Sequence, residues 1–231
     1  MQRSNIYILA FSAIMTVLIG GAMSLTSVLL KPAQDKQVEL DTKKKILGAV
    51  MDISTFKTPE EVFSLYKDRV KSIVVDIKGE IISVDAKGNP LIAEKVNAQK
   101  NHKIDREERL YPIYMILNEL DPNVVEAYVF PMFGLGLWDW ISGYVALESD
   151  LNTVKGVAFD HKGETPGLGA RITEEKVRHR YKENKKIFSD DGNLESITMV
   201  KGEGITGLSM HEVDGLSGAT ITAKGVNKML K

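Results

Sequence analysis

"GYVALESDLNTVKGVAF", Gly143 to Phe159, holds two β-prone runs joined by a short polar turn. "GYVALES" and "TVKGVAF" carry valine and aromatic side chains, and Asp150–Asn152 supply the turn between them, which predicts a β-hairpin. Hairpins make antiparallel neighbours, whereas parallel strands need a long crossover. Outward from this pair, "SIVVDIKGEIISV" (Ser72–Val84) is β-rich with a break at Gly79. "LYPIYMIL" (Leu110–Leu117) is apolar and β-prone, and Pro112 predicts an edge strand because proline cannot donate to a ladder. "SITMVKG" (Ser196–Gly202) is a further strand. Helices flank these runs. "ELDTKKKILGAVM" is expected to start at Asp41 as N-cap, with Ile46, Leu47, Val50 and Met51 on one face. "TPEEVFSLYKDRV" has Thr58 as N-cap, Pro59 at the first helical position, and Glu60 and Glu61 in the first turn. "TEEKVRHRYKENKKI" reads as a basic-faced helix capped by Thr173, and a closing helix starts at about Thr222. Strands and helices do not alternate as repeated βαβ units. The fold class is therefore α+β, a mainly antiparallel sheet with flanking helices, preceded by one N-terminal transmembrane helix.

That span is read from Ser4 to Leu30, which contains no charged residue. Ile6–Leu30 as a helix would be roughly 37 Å long, enough to cross a hydrocarbon core of about 30 Å with some tilt. A cleaved signal peptide would have a shorter apolar run and a small-x-small site, and "GGAMS" serves poorly as one. The expected organisation is a tail at 1–5, a transmembrane helix at 6–30, a linker at 31–38 ("KPAQDKQ" and Val38) and a domain at 39–231. Lys31, Lys36 and Lys43–Lys45 outnumber Arg3, which points to a cytoplasmic domain. A short tail before a large domain often lets the domain cross instead.

Composition excludes several chemistries. The 231 residues carry a net charge of −1, so no overall field points to nucleic acid. There is no cysteine, which removes disulfides, thiolate nucleophiles and the usual iron–sulfur ligands. His102, His161, His179 and His211 lie far apart, and no metal site is expected. Electron transfer by this chain would need an organic cofactor.

Three glycine-rich stretches stand out. In "FPMFGLGLWDW" (Phe130–Trp140), Gly134 and Gly136 let a flat ring approach and Trp138 offers a stacking face, though taken alone the stretch reads more readily as an aromatic core corner with a bulge. In "HKGETPGLGARI" (His161–Ile172), Pro166 fixes φ, Gly167 and Gly169 flank Leu168 with bare backbone, and Glu164 and Thr165 can hydrogen-bond a heterocycle edge. An ordinary strand-to-helix connection is the alternative. In "HEVDGLSGATITAKG" (His211–Gly225), Ser217, Gly218 and Ala219 leave room for a phosphate at a helix start, where N–H groups and the dipole favour an anion. Thr220 offers a hydroxyl that can become an ester oxygen. A plain N-cap turn with Thr222 as the cap is the other reading.

"DGLSGAT" is similar to the Asp-x-x-Ser-Gly/Ser-Ala-Thr signature of domains that carry covalent FMN. "GETPGLG" resembles their second motif, which lines the isoalloxazine. Together with "GLGLWDW" and one span, nearly the whole chain resembles the family of C subunits of Na⁺-translocating NADH:quinone oxidoreductases. The resemblance implies FMN esterified through its phosphate to Thr220, and a ring between Glu164–Gly169 and the Trp138 region. Lys201 is expected as a cation near the flavin. It further implies an electron-transfer role toward quinone coupled to Na⁺ export, and no catalysis by the protein in isolation. Implied partners are the other membrane subunits, membrane lipid, and an exported Mg²⁺-dependent flavin transferase that uses FAD. The implied location is the inner membrane, single-pass, with most of the chain periplasmic. The family also implies a slightly longer terminal helix. The G subunit of the ion-translocating ferredoxin:NAD⁺ reductase shares the threonine motif and the span but looks simpler at "GLGLWDW" and "HEVDGLSGAT". A flavin sensor or structural subunit remains a third reading.

Overall fold

The computed structural model describes residues 5–231 except Ala86 and Glu183. The chain divides into two units, residues 1–41 and 42–231. The first is almost wholly helical. Helix α1 runs without interruption over Asn5–Gly48 with Pro32 inside it, and is long and apolar enough to cross a membrane. Residues 1–4 of the expected tail lie outside the described residues. The segment expected as a linker at 31–38 is helical, so Asp41 starts no new helix. Lys31 and Asp35 pair one turn apart at 2.8 Å within that segment, which helps a helix continue through polar sequence.

The second unit is built on a five-stranded antiparallel sheet in the order β1-β2-β3-β4-β5. Its strands are β1 Val70–Val75, β2 Tyr111–Leu117, β3 Val125–Leu135, β4 Trp140–Glu148 and β5 Val154–His161. β4 and β5 form the expected hairpin, with Val145 opposite Val157 and Gly143 opposite Phe159. Asp150 makes the turn: its carboxylate accepts from the N–H of Asn152 at 2.9 Å and of Thr153 at 2.8 Å. Helix α2, Pro59–Arg69, precedes β1, and Thr58 caps it by accepting the Glu61 N–H. The break at Gly79 is a turn with φ +83°. β2 is not an edge. It lies between β1 and β3, and Pro112 is tolerated because β3 pairing begins only at Tyr114.

Both faces of the sheet are covered, so β4 and β5 bury long runs of residues. On one face the chain after α1 presses on the sheet: a Cβ at Gly156 would strike the Ala49 carbonyl. The other face carries the main core, which includes Ile141, Val145, Val157, Phe159 and Val226. A short helix α3, Ala98–His102, lies in the β1–β2 connection. The stretch expected as a long basic helix is a 3₁₀ turn at Gly169–Thr173 and then one short helix, α4, Glu175–His179. Thr173 does not cap it; its hydroxyl donates back to the Ala170 carbonyl at 3.0 Å. β6, Thr198–Met199, and β7, Glu212–Val213, pair in parallel. The closing helix α5 spans Thr220–Met229.

Candidate cofactor site

α5 is laid against the end of β3 by glycine. A Cβ at Gly225 would strike the Leu135 carbonyl, and one at Gly134 would come within 2.9 Å of Met229 Cβ. These contacts bring the "FPMFGLGLWDW" and "SGAT" stretches together. The third stretch joins through Glu164, which is only 4% exposed. Its Oε1 accepts the N–H groups of Leu137 at 2.8 Å and Trp138 at 3.1 Å, and its Oε2 accepts the Thr222 hydroxyl. Gly136 and Gly169 both abut this carboxylate, and Gly169 also abuts the Thr222 hydroxyl. Side chains at either position would displace the clamp.

Two expected roles are therefore corrected. Glu164 does not offer its carboxylate to a ring edge, because it is buried and engaged within the protein. Thr222 is not the helix cap. It is the third residue of α5, 1% exposed, and donates to Glu164. The N-cap position is held by the buried Ala219, whose side chain makes no capping hydrogen bond.

Above the clamp lies an accessible surface. Thr220, Ser217, Gly218, Thr165, Gly167 and Leu168 are all exposed. Trp138 is 69% exposed, and its indole N–H donates to the Thr165 hydroxyl at 3.2 Å. Leu168 lies against Gly218, where a Cβ would meet its Cδ2 at 2.8 Å; Gly218 also has φ +75°. Lys201 is exposed after β6, and among the described residues no hydrogen bond or ion pair joins it to these stretches.

Sequence reading missed the support beneath Ser217. Arg171 donates to both oxygens of Glu203, at 3.0 and 2.5 Å. Glu203 also accepts the Ser217 N–H at 3.1 Å and a longer bond from Arg180 at 3.3 Å. Arg180 then donates to the carbonyls of Asp214 at 3.0 Å and Gly215 at 2.6 Å. The Arg171 hydrogen bonds, the Ser217 N–H and the Arg180 contact hold the Glu203 carboxyl down to about 2. The residues are too widely separated in sequence for their spacing to reveal the network.

The uncapped start of α5, the exposed Thr220 hydroxyl and the exposed indole fit a phosphate joined to a flat aromatic group. Comparison with known proteins bears on which group this is. The C subunit of the Na(+)-translocating NADH-quinone reductase from Pseudomonas aeruginosa is 30% identical over 99% of this chain and 89% of its own length. This chain belongs to that C-subunit family. The Neisseria meningitidis serogroup B member is 33% identical over 96% of this chain and 84% of its own length. Residues 136–231 match the FMN-binding domain family, and that match takes in Trp138, the Glu164 clamp and Thr220. Two solved structures of C subunits share the fold. That from Parabacteroides distasonis aligns with TM-score 0.70 and 32% identity, covering 87% of this chain and 91% of the other. Shewanella oneidensis NqrC aligns with TM-score 0.70 and 27% identity, covering 84% and 90%. Five antiparallel strands, flanking helices and an apolar first helix are thus the expected α+β architecture.

Proposed function

We propose that this chain is the FMN-carrying subunit of a Na⁺-translocating NADH:quinone oxidoreductase. In this reading it relays electrons from NADH-side centres toward quinone, coupled to Na⁺ export, and Thr220 holds the flavin through a phosphoester. The observation that carries the proposal is the convergence of Trp138, Thr165, Leu168 and Thr220 on one exposed surface, all within the stretch that matches the FMN-binding family. FMN bound there supplies the redox chemistry. The chain's residues position it. The start of α5, with no side-chain cap, leaves N–H groups for the phosphate. Gly218 keeps the approach to Thr220 clear of a side chain, and Glu164 locks the three stretches in register.

The exposed Leu135, Leu137, Trp138, Leu168 and Ile221 form an apolar rim, which suits a face that meets other subunits of the complex. Lys201 would serve only by long-range charge. The test is the intact mass of the full chain, expressed with and without the flavin transferase of its complex. A mass increase of one FMN less one water, only with the transferase and localised to the Thr220 peptide, is expected. No increase in either case would overturn covalent attachment. An increase on another peptide would overturn the assignment to Thr220.

A further inference from the structure

We propose that Lys224 is the counter-ion of the flavin phosphate. The proposal rests on the reading of Thr220 as the attachment point and names the cation that shares its face of α5.

α5 turns a narrow strip to solvent. A Cβ at Gly225 would strike the Leu135 carbonyl, and Thr222, Ala223 and Val226 are buried. Of residues 222–226, Lys224 alone is exposed. It follows Thr220 by four positions, a spacing that puts two side chains on one helix face with Cβ atoms about 5–6 Å apart. Helical side chains lean toward the N-terminus, so a long stem at position 224 is directed toward the turn that Thr220 opens.

The other cations nearby are committed or further away. Arg171 and Arg180 both bond to Glu203, and Arg180 also to the carbonyls of Asp214 and Gly215. Lys228 lies one turn further along α5 from Thr220. Among the described residues the Lys224 side chain makes no hydrogen bond or ion pair, so its charge is available. A phosphate esterified at both ends still carries one full negative charge. The N–H groups at the start of α5 offer it only partial charge. An ammonium on the same face balances the remainder as a point charge and restrains the tether from a second side.

The test compares the full chain in a neutral detergent, loaded by its transferase or unloaded, and uses no substitution. Surface amines are acetylated briefly with an N-hydroxysuccinimide ester, and peptide mass spectrometry reads the rate at each lysine. The measurement is made in about 0.01 M and in about 1 M sodium chloride, where screening lengths are roughly 30 and 3 Å. In low salt, loading is expected to slow Lys224 about two- to fivefold, as an exposed ion pair implies, and Lys228 by less. High salt should restore the Lys224 rate. Equal Lys224 rates with and without flavin would overturn the proposal. Protection that persists in high salt would also overturn it, because the ring would then merely cover the amine. Equal protection of Lys228 would reduce the effect to a general field and sink the pairing. The same digests show whether the Thr220 peptide carries the flavin. If it does not, the attachment reading has failed and this proposal with it; if it does, an indifferent Lys224 overturns this proposal alone.

Discussion

Thr220 and Thr222 stand two residues apart on one helix in opposite environments. Thr220 is exposed and Thr222 is buried against Glu164. Thr220→Val should abolish covalent flavin and change stability by less than about 0.5 kcal/mol, as for most surface substitutions. A denaturing gel that still shows a yellow-fluorescent band would sink the assignment. Thr222→Val should do the reverse: it keeps the flavin but leaves Glu164 short of a partner, at a cost of about 1–3 kcal/mol. A urea titration of the two variants separates these outcomes. Gly167 and Gly169 diverge in the same way. Gly167 has φ +77° and open space around it, so Gly167→Ala should cost only the roughly 1–2 kcal/mol of a left-handed residue. Gly169→Ala would push on Glu164 and Thr222, so it should lower the melting temperature further and shift the flavin absorption band. Equal effects of the two substitutions would mean that the clamp does not shape the site.

Among elements, the short loop that feeds α5 depends on ionic support. Glu203 has its carboxyl held down to about 2, chiefly by Arg171 and the Ser217 N–H, against an ordinary value of 4.5. A depressed carboxyl stabilises the fold fully above its unfolded value, and that contribution is lost as pH falls from about 4.5 toward about 2. Glu203→Gln should therefore flatten the decline of melting temperature across this acid window and lower the melting temperature at neutral pH. A variant with the same acid slope as the unaltered protein would show that the network is not what titrates. Other elements show where local signals were enough. Thr58 and Pro59 start α2 because an N-cap and a first-turn proline act within four residues. Thr173 and Asp41 carry equally good local signals and start nothing. At Thr173 a 3₁₀ turn already occupies the backbone, and at Asp41 the preceding helix simply continues.

For the whole molecule, flavin attachment at Thr220 predicts the side of the membrane on which residues 42–231 lie. The apolar run in α1 is long enough to cross once, and flavin attachment by an exported transferase would place the domain outside. Lys31, Lys36 and Lys43–Lys45 oppose this by the positive-inside rule. A phosphatase fused after Lys231 should be active in the periplasm, and a partner that works only in the cytoplasm should be inactive there. The opposite result would show that the lysines govern orientation, and would remove the route by which Thr220 is proposed to be modified.

The sequence by itself determined what acts over short distances. Apolar runs with turn residues between them specified β1, β2 and the Gly143–Phe159 hairpin, but not β3, whose end from Phe130 to Leu135 reads from sequence only as a glycine-rich stretch. The uncharged run specified the long first helix. The small residues before Thr220 marked the exposed hydroxyl. Only the tertiary structure decided what depends on chain segments far apart. Pro112 sits in an inner strand because pairing with β3 starts two residues later. Glu164 faces inward because Leu137, Trp138 and Thr222 supply three donors that no spacing predicts. The Arg171–Glu203–Arg180 network likewise joins residues from separate elements. A hydrogen bond or a packing contact depends on positions in space, and a linear sequence specifies those only once the whole chain has folded.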